Sequence, residues 1–174
     1  MKKLYYKNIS LNPYQLKHYE KTVHWLNNSE IRESFGLRNE ISYKGHLNWV
    51  QNLSDTIIWA IHEEEFDNYI GNILLFLNKK HNSGFLQIYI GEIVNRGKKF
   101  GENALRCLIN FVFNELKLNR LWLKVFEENK IAINLYNKVG FKFEGVERQS
   151  FYNGENFRNQ LIFSILKEEW GSKI

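Results

Sequence analysis

One cysteine, one proline and one methionine among 174 residues exclude several architectures at once. A lone Cys107 cannot build a disulfide framework, and its neighbours Leu105, Leu108 and Ile109 mark it as a small buried apolar residue rather than a nucleophile. No apolar run approaches the roughly 20 residues that a bilayer-spanning helix needs, and the first residues lack the apolar core of a signal peptide. No repeat, linker or low-complexity segment interrupts the chain. The expectation is a cytoplasmic protein with no membrane partner and no metal, folded as one domain over residues 1–174 and long enough to bury a core.

Aromatic residues, by contrast, are plentiful at 16%, and Lys and Arg exceed Asp and Glu by 24 to 19, a net charge of +5. The basic residues are scattered among acidic ones and gather on no helix, so a nucleic-acid module is disfavoured, and an anionic small molecule accounts for the excess as well.

Periodicity predicts a strand over Lys3–Ile9 and a helix opened by Asn12-Pro13 and running to about Leu26, with Leu16, Tyr19, Val23 and Leu26 on one face. A short helix follows Asn28-Ser29. Residues 34–41 read as loop, and Ser42 reads as the N-cap of a helix to Leu53 that turns Tyr43, Leu47 and Val50 inward. Thr56–His62 and Tyr69–Asn78 form a hairpin around an acidic turn, and Gly84–Gly91 adds another strand. A helix over 101–116, a strand over 120–126, a helix over 130–139 capped by Asn129, and a hairpin of 141–148 with 159–166 around Asn153-Gly154 complete the chain. These elements give an α/β (α+β) fold, a mixed and largely antiparallel sheet of about seven strands with helices on both faces. Its parallel pair lies where a helix crosses from the Gln87 strand to the Arg120 strand.

The stretch QIYIGEIVNRGKKFG, Gln87–Gly101, joins a strand to a long helix through a turn rich in glycine and positive charge. Unpaired N–H groups and the dipole at a helix N-terminus hold a phosphate where glycine lets the backbone approach, and Arg96, Lys98 and Lys99 stand beside them. With NRLWLKVFEENKIAINLYNKVGF at Asn119–Phe141, this turn resembles the GCN5-related N-acetyltransferase (GNAT) superfamily. The matched pattern is an R/Q-x-x-G-x-G/A loop and V-x-x-x-N followed by A-x-x-x-Y-x-x-x-G-F, at Arg96, Lys99, Gly101, Val125, Asn129, Ala132, Tyr136, Gly140 and Phe141. Lys99 departs from it, standing where the family has glycine, and restricts close approach of a phosphate. Trp25–Arg32 and Ile41–Trp49 further resemble the branch that contains ribosomal-protein N-terminal, spermidine and nucleotide-linked amino-sugar acetyltransferases.

The resemblance implies acetyl-CoA held in a V between two splayed strands by Ile90, Arg96, Gly97, Lys98, Lys99, Phe100, Gly101, Asn129 and Ala132. It implies Tyr136 as the acid that protonates the departing thiolate; without it, a core aromatic between Leu135 and Val139 would be the better reading. Glu92, just past the strand, is a candidate base, and a solvent-exposed loop glutamate is an equal alternative. Among the histidines His46 ranks ahead of His62. Arg32, Arg38, His46, Trp49 and Tyr152 are the candidate acceptor residues, and their charge and aromatic faces slightly favour a nucleotide-linked amino-sugar. A protein N-terminus or a polyamine is the alternative, with Glu63, Glu64, Glu65 and Asp67 as the acidic cluster it would want. A non-catalytic acyl-CoA-binding domain is a further alternative, supported by Lys99 alone. The expected partner is a small-molecule amine, with no nucleic acid and with a homodimer allowed.

Overall fold

A computed structural model describes residues 2–171. Eight strands form one sheet: β1 (Leu4–Tyr6), β2 (Ile9–Pro13), β3 (Thr56–Glu63), β4 (Asn68–Asn78), β5 (Ser83–Ile90), β6 (Arg120–Phe126), β7 (Lys142–Tyr152) and β8 (Phe157–Leu166), in the order β1-β2-β3-β4-β5-β6-β8-β7. All neighbours pair antiparallel except β5 and β6. The helices are α1 (Tyr19–Asn27), α2 (Ser29–Ser34), α3 (Tyr43–Gln51), α4 (Phe100–Asn114), α5 (Lys130–Val139) and α6 (Lys167–Gly171).

The eighth strand comes from the N-terminal segment, where the sequence suggests one strand over Lys3–Ile9. Lys7 takes a left-handed φ of 54° and turns the chain back, so Tyr6 pairs with Ile9 and Leu4 with Leu11. Pro13 then ends β2 opposite Trp59 instead of opening a helix, because Ile9 and Leu11 are fully buried against β3. The helix starts later, through a single 3-10 turn at Leu16–His18, and Leu16 is left exposed. Tyr43 is likewise exposed; the buried residue of α3 is His46.

Period-two alternation sorts the strands between two cores. Leu86 on β5 and Ile73 and Leu75 on β4 join the main core, where α4 contributes Ala104, Leu105, Leu108, Ile109 and Val112 and α5 contributes Tyr136 and Val139. Tyr89 faces the other way into a smaller core with Trp25, Leu26 and Ile31 from α1 and α2. The helices therefore cover both faces, and β5 carries residues to each.

Candidate active site

The β5–β6 pair is where the sheet opens. Its parallel register contains only Ser83↔Arg120, Gly84↔Leu121 and Phe85↔Trp122, although β5 continues to Ile90 and β6 to Phe126. Past Phe85 each strand keeps its antiparallel neighbour, β4 for β5 and β8 for β6, and loses the other. The divergence leaves a cleft of about 530 Å³ at the C-terminal ends of both strands, between Ile88–Ile90 on one wall and Phe126, Asn129, Ala132 and Tyr136 on the other.

The turn after β5 closes one end of that cleft. Gly97 has φ 76° and Lys99 φ 64°, two left-handed residues that reverse the chain into α4. Gly97 pays little for this, whereas Lys99 bears a strain of about 1–2 kcal/mol for an L side chain in that region. Lys99 is the N-cap of α4 and gives it no side-chain hydrogen bond, so the first-turn amides of Phe100, Gly101 and Glu102 face outward uncapped. A 15-residue helix thus presents its positive end to the cleft. A Cβ on Gly101 would lie 3.6 Å from Leu135 Cδ2 and 3.9 Å from Ile90 Cγ1, so any larger side chain there fills the cleft rather than colliding with the protein. Most of the remaining charges on the walls are paired: Arg96 with Glu30, Glu102 with Lys138 and Arg106, Arg158 with Glu128.

At the opposite wall, Asn129 caps α5, its Oδ1 accepting from the Ala132 amide at 3.1 Å, which leaves its Nδ2 donors uncommitted. Tyr136 lies two turns on. It is buried, touches Phe141 and Phe163 with its ring, and its hydroxyl makes no hydrogen bond with another described residue. Burial pushes its pKa up to about 12, so the phenol keeps its proton at neutral pH.

A second cavity of about 550 Å³ lies beneath α1 and α3, lined mostly by apolar and aromatic residues, among them Leu26, Phe35, Ile41, Trp49, Ile58, Leu74 and Phe76. One polar ridge crosses it. Tyr14 donates to Thr22 Oγ1 at 2.8 Å and meets His46 Nε2 at 2.7 Å; Thr22 also meets Tyr69 at 2.6 Å. Tyr69 donates to Asn72 Oδ1 at 2.9 Å, and Asn72 Nδ2 donates to Thr22 at 3.0 Å and to Tyr89 at 2.6 Å. Burial lowers the His46 pKa below its ordinary value, so its ring is neutral at neutral pH. Tyr89 borders both cavities, the one described residue to do so.

The structure brings Ile90, Arg96, Gly97, Lys99, Phe100, Gly101, Asn129, Ala132 and Tyr136 to the first cleft, and His46 and Trp49 to the second. Five other candidates lie elsewhere. Lys98 is exposed and outside the lining. Glu92 accepts the Trp25 indole N–H at 2.9 Å, a contact possible only because Gly91 has no Cβ: one would sit 2.1 Å from the Trp25 ring. Arg32 and Arg38 line neither cavity; Arg38 donates to the Tyr152 carbonyl and stacks 5.2 Å over the Tyr152 ring. Sequence reading missed Tyr14, Thr22, Tyr69, Asn72 and Tyr89. The available signal was a polar residue at a buried position of a strand: Asn72 sits among Ile70, Ile73 and Leu75, and the Tyr89 hydroxyl among Ile88 and Ile90.

The family model described as an acetyltransferase (GNAT) domain matches residues 8–142. An N-acetyltransferase 9-like protein of Caenorhabditis briggsae is 29% identical over 145 residues, 76% of this chain and 73% of that protein. The spermidine N(1)-acetyltransferase of Escherichia coli strain K12 is 30% identical over 97 residues, 56% of this chain and 52% of that one. Among solved structures, spermidine N-acetyltransferase from Vibrio cholerae in complex with CoA and spermine superposes with a TM-score of 0.86 at 22% identity, over 94% of this chain and 98% of that one.

Proposed function

The chain belongs to the GNAT acetyltransferase family and is an acetyl-CoA-dependent N-acetyltransferase, and we propose that its acceptor is a small cationic amine on an apolar stem, of the polyamine class. The observation that carries this reading is the charge of the second cavity. Of its lining residues Glu40 alone is charged, since His46 is held neutral. A methylene stem suits the apolar walls, an ammonium suits the faces of Tyr14, Trp49 and Tyr89, and Glu40 attracts a distal positive charge. A nucleotide-linked amino-sugar would bring phosphates into a cavity without an arginine; Arg38, a candidate from the sequence, is engaged with Tyr152. The likeness to a spermidine acetyltransferase from Escherichia coli points the same way.

The same proposal takes acetyl-CoA into the β5–β6 cleft as co-substrate, and the residues there fit it. The uncapped α4 amides and the unpaired ammonium of Lys99 suit a pyrophosphate, and the free Asn129 Nδ2 suits an amide carbonyl of the pantetheine arm. The amine attacks the thioester carbonyl directly in a ternary complex. Tyr136, protonated and without an internal partner, gives its proton to the sulfur as the C–S bond breaks. One sheet takes in every strand from β1 to β8, which supports reading 1–174 as one N-acetyltransferase domain. A free, buried Cys107 fits a cytoplasmic location.

Following thiol release with acetyl-CoA against spermidine, amino-sugar nucleotides and short peptides tests the acceptor. Spermidine should be turned over with the highest kcat/KM, and Glu40→Gln should raise its KM severalfold. Preference for a nucleotide-sugar, with Glu40→Gln silent, would overturn the reading.

A further inference from the structure

Three aromatic side chains of the sheet are left over by the two cores. On the face that α1 covers, Phe76, Phe85 and Trp122 stand side by side in one cross-strand row, Phe76 opposite Phe85 on β4–β5 and Phe85 opposite Trp122 on β5–β6. They join neither core and are half-buried, because α1, α2 and the loop after α2 pack over the Tyr69–Tyr89 end of this face instead. Their rings make a continuous track, with Phe76 and Phe85 centroids 5.8 Å apart and Phe85 and Trp122 centroids 4.7 Å apart. The track begins inside the second cavity, whose wall includes Phe76, Leu74 and Gln87. Along β4 and β5 the rows Asn72–Tyr89, Leu74–Gln87 and Phe76–Phe85 follow one another. From the Tyr89 row, which borders the cofactor cleft, to the Phe85 row is therefore roughly 14 Å of strand.

The charges around the track are balanced. Arg120 is held by Glu144 and Lys124 by Glu147, and Ser164, opposite Trp122, donates to Glu144. Lys124 Nζ lies 5.9 Å from the Trp122 ring centroid, so one alkylammonium already rests on this ring with a carboxylate behind it. Three rings of about 200 Å² apiece, each less than half exposed, offer under about 300 Å², against about 800 Å² per partner in a stable protein interface. A strip of that size suits a slender chain and not a protein surface. We propose that Phe76, Phe85 and Trp122 form a distal subsite of the acceptor cavity, holding the far ammonium groups of a linear polyamine whose reacting nitrogen lies at the Tyr89 end. The inference rests on the polyamine reading of that cavity and adds a length requirement to it. The ring spacing is roughly the separation of neighbouring ammonium groups in such a chain, and each ammonium over a ring face is worth about two- to fivefold in affinity. A diamine is too short to reach from the Tyr89 row to Phe85; a tetraamine spans the distance.

Steady-state kinetics with acetyl-CoA, comparing the diamine putrescine with the tetraamine spermine, tests the length requirement. The double variant Phe85→Leu, Trp122→Leu keeps apolar bulk and removes both ring faces. Its kcat/KM for spermine should fall about 5- to 20-fold through KM, while the value for putrescine changes by less than about twofold. Lys124→Met, at a partly exposed position, frees the Trp122 face and Glu147 and should lower the spermine KM severalfold, again with putrescine unchanged. Another readout needs no turnover: spermine added to the CoA-loaded protein should change its tryptophan fluorescence, and Trp122→Leu should remove most of that change. Equal effects on the two amines, or spermine kinetics unchanged in both variants, would overturn the subsite. Glu40→Gln keeps the two readings apart. If it is silent and neither amine is turned over, the polyamine reading has failed; if it raises the KM of both amines while the track variants leave spermine unchanged, the subsite alone has.

Discussion

Two tyrosines and one histidine illustrate how burial sets chemistry one residue at a time. Tyr136 and Tyr89 are both held protonated by desolvation, yet Tyr136 faces the cleft with no partner while Tyr89 is aimed by an amide. Tyr136→Phe should therefore lower kcat about 10²- to 10⁴-fold with little change in acetyl-CoA affinity, measured by steady-state kinetics and calorimetry. An equal kcat with chemistry rate-limiting would make Tyr136 a packing residue. His18 shows the same effect acting on stability. Its ring is buried between Tyr14 and Tyr69, and desolvation, then the charges of His62 and Lys17, lower its pKa to about 4. The folded state binds this proton less readily than the unfolded chain, so His18 stabilises fully above the unfolded value near 6.5, and that contribution is lost as pH falls towards 4. The loss is on the order of 3 kcal/mol. Thermal melts between pH 4 and 7 should steepen accordingly, and His18→Asn, whose amide oxygen can still take the Gln15 N–H, should flatten the slope.

At the scale of the element, what could be read from the sequence was what repeats or punctuates. Strand β6 and helix α5 match their predicted limits because a clean alternation and an Asn129 cap define them. The turn at Arg96–Gly101 was legible because glycine and lysine before an amphipathic run describe an anion-holding helix end. The second cavity was not, because its residues come from separate segments and Tyr14, Thr22, Tyr69, Asn72 and Tyr89 meet only through strand register and the packing of α1 on the sheet. The surroundings of Glu92 and Arg38 were hidden for a related reason: sequence shows a charge, and only packing shows that Glu92 accepts from Trp25 and Arg38 donates to Tyr152. Lys99 is the turn's own compromise, a left-handed residue with an ammonium in place of a strain-free glycine. Lys99→Gly should raise stability by about 1 kcal/mol in chemical denaturation. It should also weaken acetyl-CoA binding at low ionic strength and reduce the dependence of that binding on salt, since one screened charge contact is gone. A salt dependence that did not change would show that the backbone amides alone hold the phosphates.

Over the whole molecule, the sheet is two antiparallel blocks, β1–β5 and β6–β8 with β7, joined by three parallel register pairs and by the helices that cross the join. The family pattern implied this splay; the alternation of the strands did not, because divergence is a property of how two strands lie and not of either one. Both blocks line the cleft, β5 through Ile88–Ile90 and the second through Phe126 and Arg158, with α5 beside it. A ligand that binds there touches both, so its binding free energy acts on the join as well as on the turn. At about 100 times its dissociation constant, acetyl-CoA should add about 2.7 kcal/mol of stability, a rise in Tm of roughly 5–10 °C for a chain of this size. Hydrogen exchange then tells where that stability resides. Protection should rise in β6 and the N-terminal turn of α5 as much as in β5 and the first turn of α4, because filling the V couples the blocks. Protection confined to 96–102 would mean that the ligand sits on the turn alone and that the open sheet contributes nothing to holding it.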